Sequence, residues 1–311
     1  MKYDIIIIGS GAAGLSAAMY AGRYKMRSLV IGKEFGGETA TAGLVENYPG
    51  IISVDGYDLM GIMKEHAQKY GAEIFDGEVI DIQKQDSGFF VRTKEGEQYE
   101  GATLIFAIGS QRRHLGLANE KELIGKGVHY CWTCDGPLYG GKTIAMVGGG
   151  DSSVKGVNFL AAYAKKIYLI SREKEIRAEP INLEQMKKLG DRVEVLLEHE
   201  VKEIVGEQRL KKLVVSSPKH KPGEELDDLA VDGMFIEIGF DPNKELPGLL
   251  GIVLDERGYI KVDNKMKTNV PGVFAAGDGT NFFGSFKQDI TAAALGAVAA
   301  TSAYEYIQTN K

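Results

Sequence analysis

Cysteine is scarce in this sequence, since the 311-residue chain contains only two, at positions 131 and 134. Two cysteines cannot cross-link a chain of this length, so a disulfide-stapled scaffold is excluded. Long apolar runs are also missing, and no stretch approaches the roughly 20 residues of a membrane helix. The first residues show neither the basic region nor the cleavage site of a secretory signal peptide. The sequence therefore predicts a soluble, cytoplasmic protein.

Positive charge is in the minority, with 37 Lys and Arg against 43 Asp and Glu and a net charge of −6. This balance gives no reason to expect nucleic acid or a membrane as a partner. Glycine, in contrast, is abundant at 40 of 311 residues, about 13% against a usual level near 7%. The 44% of hydrophobic residues is enough for a full core and argues against disorder.

The beginning of the chain has the pattern of a dinucleotide-binding fold. Four isoleucines at 5–8 predict a strand that is buried on both faces, as in a parallel sheet. The sequence Gly-Ser-Gly-Ala-Ala-Gly at 9–14 then predicts a tight turn into a helix, and a second strand follows at 28–31. Glu34 comes 20 residues after Gly14, near the position where an acidic residue hydrogen-bonds a ribose.

A second copy of this pattern begins near residue 143. A strand at 143–147 leads into the turn Gly-Gly-Gly-Asp-Ser-Ser at 148–153, in which Ser153 replaces the usual third glycine or alanine. A helix and a strand at 167–170 follow, and Glu173 comes 23 residues after Gly150. The chain therefore has two predicted nucleotide-binding βαβ units.

Local composition predicts the remaining elements. Further strands at 104–107, 234–238 and 273–276 each run into a glycine loop, 193–215 is predicted as a β-meander, 216–228 as a charged loop or hairpin tip, and 291–307 as a terminal helix.

The two cysteines form the motif Cys131-Trp132-Thr133-Cys134, which Asp135 follows directly. Cysteines spaced in this way in a cytosolic chain usually perform redox chemistry or bind a metal. A metal needs four ligands and the sequence has no second C-x-x-C, so we expect a redox-active disulfide and no metal. A zinc ion shared across a dimer and a purely structural pair are the alternatives. The carboxyl group of Asp135 could move protons beside the thiols, or cap a helix.

These motifs follow one another in a definite order: nucleotide fold, C-x-x-C-D, second nucleotide fold, and a strand that ends in Gly277-Asp278. In this order the sequence resembles the low-molecular-weight thioredoxin reductases over nearly its whole length. The matching segments are 9–14, 36–38, 45–50, 131–136, 148–153 and 268–278, together with the pair Lys287-Gln288.

The resemblance implies an α/β fold with two Rossmann-like domains, each of three ββα layers. The NAD(P)H-binding domain, predicted at 115–242, would be inserted into an FAD-binding domain formed by 1–114 and 243–311. By resemblance the FAD contacts are Gly9, Ser10, Gly11, Ala12, Ala13, Gly14, Glu34, Gly36, Gly37, Glu38, Asn47, Val79, Ala107, Gly109, Asp278, Lys287, Gln288 and Asp289. The predicted NAD(P)H contacts are Gly148, Gly150, Asp151, Ser152, Ser153, Arg172, Glu173, Arg177, Ile238 and Gly239.

The implied activity is a disulfide reductase that passes electrons from NAD(P)H through FAD and the cysteine pair to thioredoxin or a thioredoxin-like protein. In this family Cys134 would be the thiol on the flavin side, Cys131 would attack the partner disulfide, and Asp135 would protonate a leaving thiolate. Relatives of this kind are homodimers. The alternatives are reduced ferredoxin as donor, a glutaredoxin-like protein or peroxiredoxin as partner, a ferredoxin–nicotinamide reductase, and a redox sensor or nucleotide-binding regulator without enzymatic activity.

Three segments depart from the family pattern. NADPH-dependent members carry His-Arg-Arg-x-x-x-Arg where this chain has Ser-Arg-Glu at 171–173 and Arg177. Glu173 would repel a 2′-phosphate and accept a hydrogen bond from a 2′-hydroxyl, unless it is an ordinary solvated charge. The two remaining arginines could still hold a phosphate, so the sequence leaves NADPH and NADH open. Lys155-Gly156 stands where the family usually has Glu-Glu, and the bulky Trp132 either packs or shapes the partner surface.

Overall fold

The computed structural model of the protein describes residues 2–219, 226–284 and 286–310. The helices of these residues are α1 (Ala12–Arg23), α2 (Gly56–Lys69), α3 (Trp132–Asp135), α4 (Asp151–Leu160), α5 (Pro180–Lys187), α6 (Glu245–Leu249) and α7 (Asp289–Thr309). The strands are β1 (Lys2–Ile8), β2 (Ser28–Gly32), β3 (Leu44–Val45), β4 (Val54–Asp55), β5 (Glu73–Asp76), β6 (Val79–Gln85), β7 (Gly88–Thr93), β8 (Gln98–Phe106), β9 (Ser110–Arg112), β10 (Val128–His129), β11 (Thr143–Val147), β12 (Lys166–Ser171), β13 (Val193–Leu197), β14 (Glu200–Gly206), β15 (Leu210–Ser216), β16 (Asp227–Ala230), β17 (Gly233–Ile236), β18 (Phe240–Pro242) and β19 (Val273–Ala275).

The chain divides into two compact units. The outer unit comprises Met1–Gln111 and Asp241–Lys311, and the inserted unit comprises Arg112–Phe240. No helix of the described segments is long and apolar enough to cross a lipid bilayer.

The outer unit is built on a parallel sheet in the order β5-β2-β1-β8, and both β19 and the antiparallel β7 also pair with β8. The isoleucines of β1 are buried on both faces, because Ile5 and Ile7 join one apolar cluster while Ile6 and Ile8 join another. Each such side chain contributes about 1.5–3 kcal/mol relative to an exposed one. This double burial confirms the strand predicted from the isoleucine run.

Helices α1 and α7 pack closely through small residues. A Cβ atom on Gly296 would lie 2.0 Å from the carbonyl oxygen of Ala13, so the two helices touch at that point. The Ser16 hydroxyl donates a hydrogen bond of 2.7 Å to the carbonyl of Ala293. The alanine-rich composition of the terminal helix therefore serves close contact with the helix that follows the first glycine turn.

The inserted unit has a parallel sheet in the order β10-β17-β11-β12-β13 and an antiparallel sheet β14-β15-β16. One prediction is wrong here, because residues 193–197 form a parallel strand beside β12, paired Ile167 to Val193, and do not belong to the meander. This edge strand is partly exposed, so its sequence alternates as an antiparallel strand does. The charged loop predicted at 216–228 lies partly outside the described residues.

Candidate active site and the two glycine turns

The first glycine turn joins β1 to α1 and closes against the end of β8. Gly9 has φ +112°, and a Cβ atom there would lie 2.1 Å from the carbonyl oxygen of Ala107. A Cβ on Gly14 would lie 1.9 Å from the carbonyl oxygen of Gly9. Gly11 differs, since only the carbonyl oxygen of Gly36 comes within 4 Å of its Cβ position, at 3.7 Å. The turn is therefore closed toward the sheet and open at Gly11, where a ligand can approach the backbone.

Among the described residues, no side chain caps the N-terminus of α1, whose N-cap residue is Gly11, and no acidic residue occupies its first turn. Ala12 and Ala13 are buried there. Free N–H groups and the positive end of the helix dipole in a buried place favour an anion. These residues fit the pyrophosphate of a dinucleotide such as FAD.

The segment that follows β2 lies on this turn. The Ser10 hydroxyl donates a hydrogen bond of 3.0 Å to the carbonyl of Glu34, and the N–H of Gly36 donates one of 3.2 Å to the carbonyl of Ser10. Gly36 and Gly37 adopt φ of +72° and +56°, which favours glycine. The structure thus brings together the predicted residues 34–37 and the turn. Glu38 is exposed in the following 3₁₀ turn, and Val79 begins β6 within the apolar core.

The start of α7 gathers most of the other predicted flavin contacts. The Asn47 side-chain amide donates a hydrogen bond of 2.8 Å to Gln288 Oε1. The Thr39 hydroxyl donates one of 2.5 Å to Asp289 Oδ1. Burial, and then the charge of Asp289, raises the pKa of Tyr48. Thr39 and Tyr48 are therefore part of this cluster, although neither was among the predicted flavin contacts.

Asp278 lies in the turn between β19 and α7, close to the predicted Gly109. Burial raises the pKa of its carboxyl to about 6, with Lys287 opposing this shift and Asp289 adding to it. Lys287 itself donates a hydrogen bond of 2.6 Å to the carbonyl of Thr280. No described residue donates a hydrogen bond to the Asp278 carboxylate. A partly buried acceptor of this kind fits a ligand hydroxyl, as a flavin side chain would supply.

The second glycine turn repeats the first with one substitution that the structure explains. Gly148 has φ +141°, and a Cβ there would lie 2.1 Å from the carbonyl oxygen of Glu237. The hydroxyl of Ser153, which is fully buried, donates a hydrogen bond of 3.1 Å to that same carbonyl. Serine in the third position therefore ties the turn to the residue after β17 by a hydrogen bond.

Helix α4 begins at this turn with Gly150 as its N-cap residue, and no side chain of the described residues caps it. Asp151 turns instead toward α5, where it accepts hydrogen bonds of 2.8 Å from the Glu179 N–H and from the Asn182 amide. Burial opposes its charge, but these bonds and Lys155 at 3.0 Å lower its pKa overall. Because Asp151 is held by α5, the N–H groups of Ser152 and its neighbours stay open to a pyrophosphate.

The segment after β12 runs beside this turn, as the sequence predicted for a ribose-binding segment. The N–H of Arg177 donates a hydrogen bond of 2.8 Å to the carbonyl of Gly149. Arg172 lies 3.5 Å from Glu173, and Arg177 lies 3.3 Å from Glu175. Both ion pairs are well exposed, so each contributes about 0–1 kcal/mol and yields readily to a ligand. Ile238 and Gly239 follow β17, and Gly239 has φ +98°.

Cys131 and Cys134 are joined by a disulfide at the start of the short helix α3. The Cys134 N–H donates a hydrogen bond of 3.2 Å to Cys131 Sγ, and the Asp135 N–H donates one of 3.1 Å to the Cys131 carbonyl. Cys131 is partly exposed and Cys134 is exposed, so both sulfurs are accessible to exchange. Asp135, the acid expected to act on the thiols, directly follows Cys134 and belongs to the same short helix.

Asp135 is the N-cap residue of the 3₁₀ turn Gly136–Tyr139, but its side chain makes no capping hydrogen bond to the described residues there and contacts His129, which was not among the predicted site residues. His129 Nδ1 lies 2.9 Å from Asp135 Oδ2, and His129 Nε2 lies 2.6 Å from the Tyr139 hydroxyl. The histidine ring is buried and stacks on Phe235, with 5.2 Å between the ring centroids. A histidine at the end of the buried strand β10, two residues before the first cysteine, was the one available signal.

Trp132 and Gly156, two of the departures from the family pattern, are in contact. A Cβ on Gly156 would lie 3.1 Å from Trp132 Cδ1 and 2.5 Å from Met146 Cε. The indole ring also packs on Phe159, with 5.3 Å between the ring centroids. The missing side chain at 156 therefore makes room for the large ring between the cysteines, and packing explains Trp132.

We expect Gly156→Glu to lower the free energy of unfolding by about 1–3 kcal/mol, because the new side chain overlaps the indole ring. Trp132 is the only tryptophan of the chain. Its emission should therefore shift to longer wavelength as the ring becomes exposed, and urea unfolding gives the energy. Gly61→Glu is the matched control, since nothing lies within 4 Å of that Cβ position on α2. Equal losses in the two variants would contradict the packing argument.

Comparison with known proteins agrees with this geometry. The family model for pyridine nucleotide-disulphide oxidoreductases matches residues 3–300. The thioredoxin reductase of Bacillus subtilis is 38% identical over 308 residues, which cover 98% of this chain and 95% of that protein. The crystal structure of Lactococcus lactis thioredoxin reductase matches with a TM-score of 0.92 at 33% identity, over 99% of both chains. A ferredoxin-flavin thioredoxin reductase from Clostridium acetobutylicum matches with a TM-score of 0.52 at 32% identity, again over 99% of both.

These matches confirm the resemblance and the α/β fold with two Rossmann-like domains. The family implies FAD and a pyridine nucleotide as cofactors, and the two glycine turns fit such groups. The chain therefore belongs to the pyridine nucleotide-disulphide oxidoreductases and, within them, to the low-molecular-weight thioredoxin reductases, as a flavoprotein oxidoreductase with a redox-active disulfide.

Proposed function

We propose that the protein transfers electrons from a pyridine nucleotide, through FAD and the Cys131–Cys134 disulfide, to the disulfide of thioredoxin or a thioredoxin-like protein. The observation that carries this proposal is the accessible disulfide beside Asp135, in a chain whose two glycine turns both lead into an uncapped helix. The names of the relatives support thioredoxin as the partner.

The outer unit would hold FAD by the contacts that the turn and the α7 cluster offer. The N–H groups of Ala12 and Ala13 would bind the pyrophosphate, and Asp278 would accept a hydrogen bond from a hydroxyl of the flavin side chain. Asn47 and Gln288, which already bond each other, would lie toward the ring. Bound FAD supplies a carrier that accepts two electrons from the nicotinamide and delivers them to the disulfide.

The thiol chemistry follows from the positions of the two sulfurs. Reduction of the disulfide consumes two electrons and two protons and gives two thiols. Cys131, as the thiolate, attacks the partner disulfide and displaces one partner thiolate. Cys134 then attacks the Cys131 sulfur, which restores the disulfide and releases the second partner thiolate. Asp135, which directly follows Cys134 in the sequence, would protonate a leaving thiolate.

We also infer that the second turn favours NADH over NADPH. Glu173 stands where NADPH-dependent members carry arginine, so its carboxylate would repel a 2′-phosphate and accept a hydrogen bond from a 2′-hydroxyl. The domain boundaries at 114/115 and 242/243, the homodimer and the cytoplasmic location stay predictions.

Anaerobic titration of the purified flavoprotein with NADH, NADPH and reduced ferredoxin, each in turn, tests the donor. We expect NADH to bleach the flavin absorbance at the lowest concentration, and oxidised thioredoxin to restore it. The ferredoxin alternative is favoured by one observation, the similarity to the Clostridium acetobutylicum enzyme. Bleaching by reduced ferredoxin, with no bleaching by NADH or NADPH, would establish that alternative. Restoration only by a glutaredoxin-like protein or a peroxiredoxin would identify a different partner.

The raised pKa of Asp278 predicts how FAD affinity depends on pH. The carboxyl group is half protonated near pH 6 without flavin, and a ligand hydroxyl that donates to it requires the ionised form. FAD affinity should therefore rise by about tenfold between pH 5 and 7 and then level off, since each pH unit below the pKa costs a factor of ten. Flavin fluorescence quenching measures this, and Asp278→Asn should bind more weakly with no such slope. An equally steep slope in Asp278→Asn would assign the effect to another group.

A further inference from the structure

Three side chains of the inserted unit, Asp135, His129 and Tyr139, form a row of close polar contacts. Asp135 contacts His129 Nδ1 at 2.9 Å, and His129 Nε2 contacts the Tyr139 hydroxyl at 2.6 Å. His129 and Tyr139 are both almost completely buried, whereas Asp135 is about one-third exposed. Phe235 and Tyr139 enclose the imidazole with their rings. The row therefore connects the acid beside the thiols to a buried phenol.

Tyr139 lines a cavity of about 380 Å³ that does not include the cysteines. The charged side chains of Lys142, Arg209 and Asp232 also line this cavity, and a polar cavity of that size holds water. Gly233 makes room for the phenol ring, because a Cβ there would lie 2.3 Å from Tyr139 Cε1. Tyr139, at the far end of the row, therefore borders a cavity that holds water.

The phenol hydroxyl is able to donate a hydrogen bond to His129 Nε2. Burial raises the pKa of Tyr139, the nearby Arg209 opposes that shift, and Asp135 and Asp232 add to it. A neutral phenol that donates to His129 Nε2 leaves the imidazole proton on Nδ1, where it faces Asp135. In this arrangement the Tyr139 hydroxyl and His129 Nδ1 both direct their protons from the cavity toward Asp135.

We propose that His129 and Tyr139 are positioning residues that supply Asp135 with protons from the cavity while the thiols are covered by a reaction partner. The inference rests on the proposed role of Asp135. When Asp135 gives its proton to a leaving thiolate, His129 Nδ1 returns a proton to the carboxylate, and Nε2 takes one from the Tyr139 hydroxyl. Water in the cavity then reprotonates the phenolate, so one proton moves from the cavity to the thiol and no electrons are transferred along the row.

A separate supply of protons is needed because the reaction partner covers the thiols during disulfide exchange. The sulfur that is attacked must contact another disulfide or the reduced flavin, and that contact excludes water from the side of the thiols. A route through the interior of the unit remains usable in that state.

The test uses two substitutions that interrupt the row at different points. Tyr139→Phe keeps the ring and removes the hydroxyl. His129→Asn keeps a donor near the position of Nδ1, so Asp135 is still held, but it cannot reach Tyr139. In the FAD-loaded protein we expect both variants to slow turnover with oxidised thioredoxin by about tenfold, within the range of general acid catalysis. The KM for thioredoxin and the rate of flavin bleaching by nicotinamide should be unchanged, and the solvent deuterium isotope effect on turnover should increase.

Tyr130→Phe is the matched control, because it removes a phenol hydroxyl that bonds Glu120 in the same unit, outside the row. It should keep the wild-type turnover and isotope effect. If Tyr139→Phe or His129→Asn behaves like this control, the proton supply is overturned.

Asp135→Asn separates failure of this inference from failure of the proposed function. We expect Asp135→Asn to be slow, and the double variant with Tyr139→Phe to be no slower, because both changes act on one path. Full turnover in Asp135→Asn would contradict the proposed role of Asp135 itself. A slow Asp135→Asn beside a fast Tyr139→Phe would leave that role intact and overturn only the row.

Discussion

Replacement of either Cys131 or Cys134 by serine will lower the turnover of a protein disulfide by at least about 10³-fold, while FAD stays bound and is still reduced by nicotinamide. The loss is this large because a hydroxyl cannot replace a thiolate in disulfide exchange, and removal of a nucleophile typically costs about 10⁴–10⁶ in rate. The chain has no other cysteine that could substitute. Turnover with oxidised thioredoxin and anaerobic flavin bleaching measure the two effects separately.

The two serine variants should also differ from each other. In Cys134→Ser, Cys131 can still attack the partner but nothing resolves the product, so a covalent complex with thioredoxin should accumulate. Cys131→Ser lacks the attacking thiol and should form little of it. Non-reducing electrophoresis detects the complex, and the double variant Cys131→Ser/Cys134→Ser serves as the negative control. If Cys131→Ser accumulates the covalent complex and Cys134→Ser does not, the roles of the two cysteines are the reverse of those assigned. Turnover in either variant would contradict the disulfide mechanism.

The glycine turns could be predicted from sequence because backbone geometry dictates them. A Cβ atom at Gly9 or Gly148 would lie about 2 Å from a carbonyl oxygen, so only glycine fits at these two positions. The glycines in the sequence therefore mark the turns directly. The same holds for β1, whose unbroken isoleucines are typical of a strand covered on both faces. The cysteine pair could be identified for a similar reason, since its chemistry depends on short spacing.

The surroundings of the disulfide could not be predicted, because they depend on contacts between distant positions. Nothing in the residue types ties Trp132 to Gly156, which only the packing of α3 on α4 brings together. Nothing in the residue types places His129 against Asp135, since their distance depends on how the chain turns after β10. The strand at 193–197 was misassigned because a partly exposed edge strand of a parallel sheet shows the alternation of a meander.

Replacement of Glu173 by arginine will shift the nicotinamide preference toward NADPH by about 10²-fold in the ratio of kcat/KM values. The change removes a carboxylate that repels the 2′-phosphate and adds a guanidinium that can bind it through two hydrogen bonds. A factor of 10² corresponds to about 3 kcal/mol, within the cost of placing like charges together at a binding site. Because Glu173 is exposed, the substitution disturbs no buried contact. Initial rates with each cofactor, at fixed thioredoxin, give the ratio.

Glu175→Arg is the matched control for charge, since it makes the same change two residues away in the same exposed segment. If both variants shift the preference equally, the general field of the segment decides and Glu173 makes no contact with the ribose. If neither does, Glu173 is a solvated charge. A shift confined to Glu173→Arg is the expected result, because a direct contact falls off within a few ångströms whereas the field of an exposed charge is screened over a Debye length of about 8–10 Å.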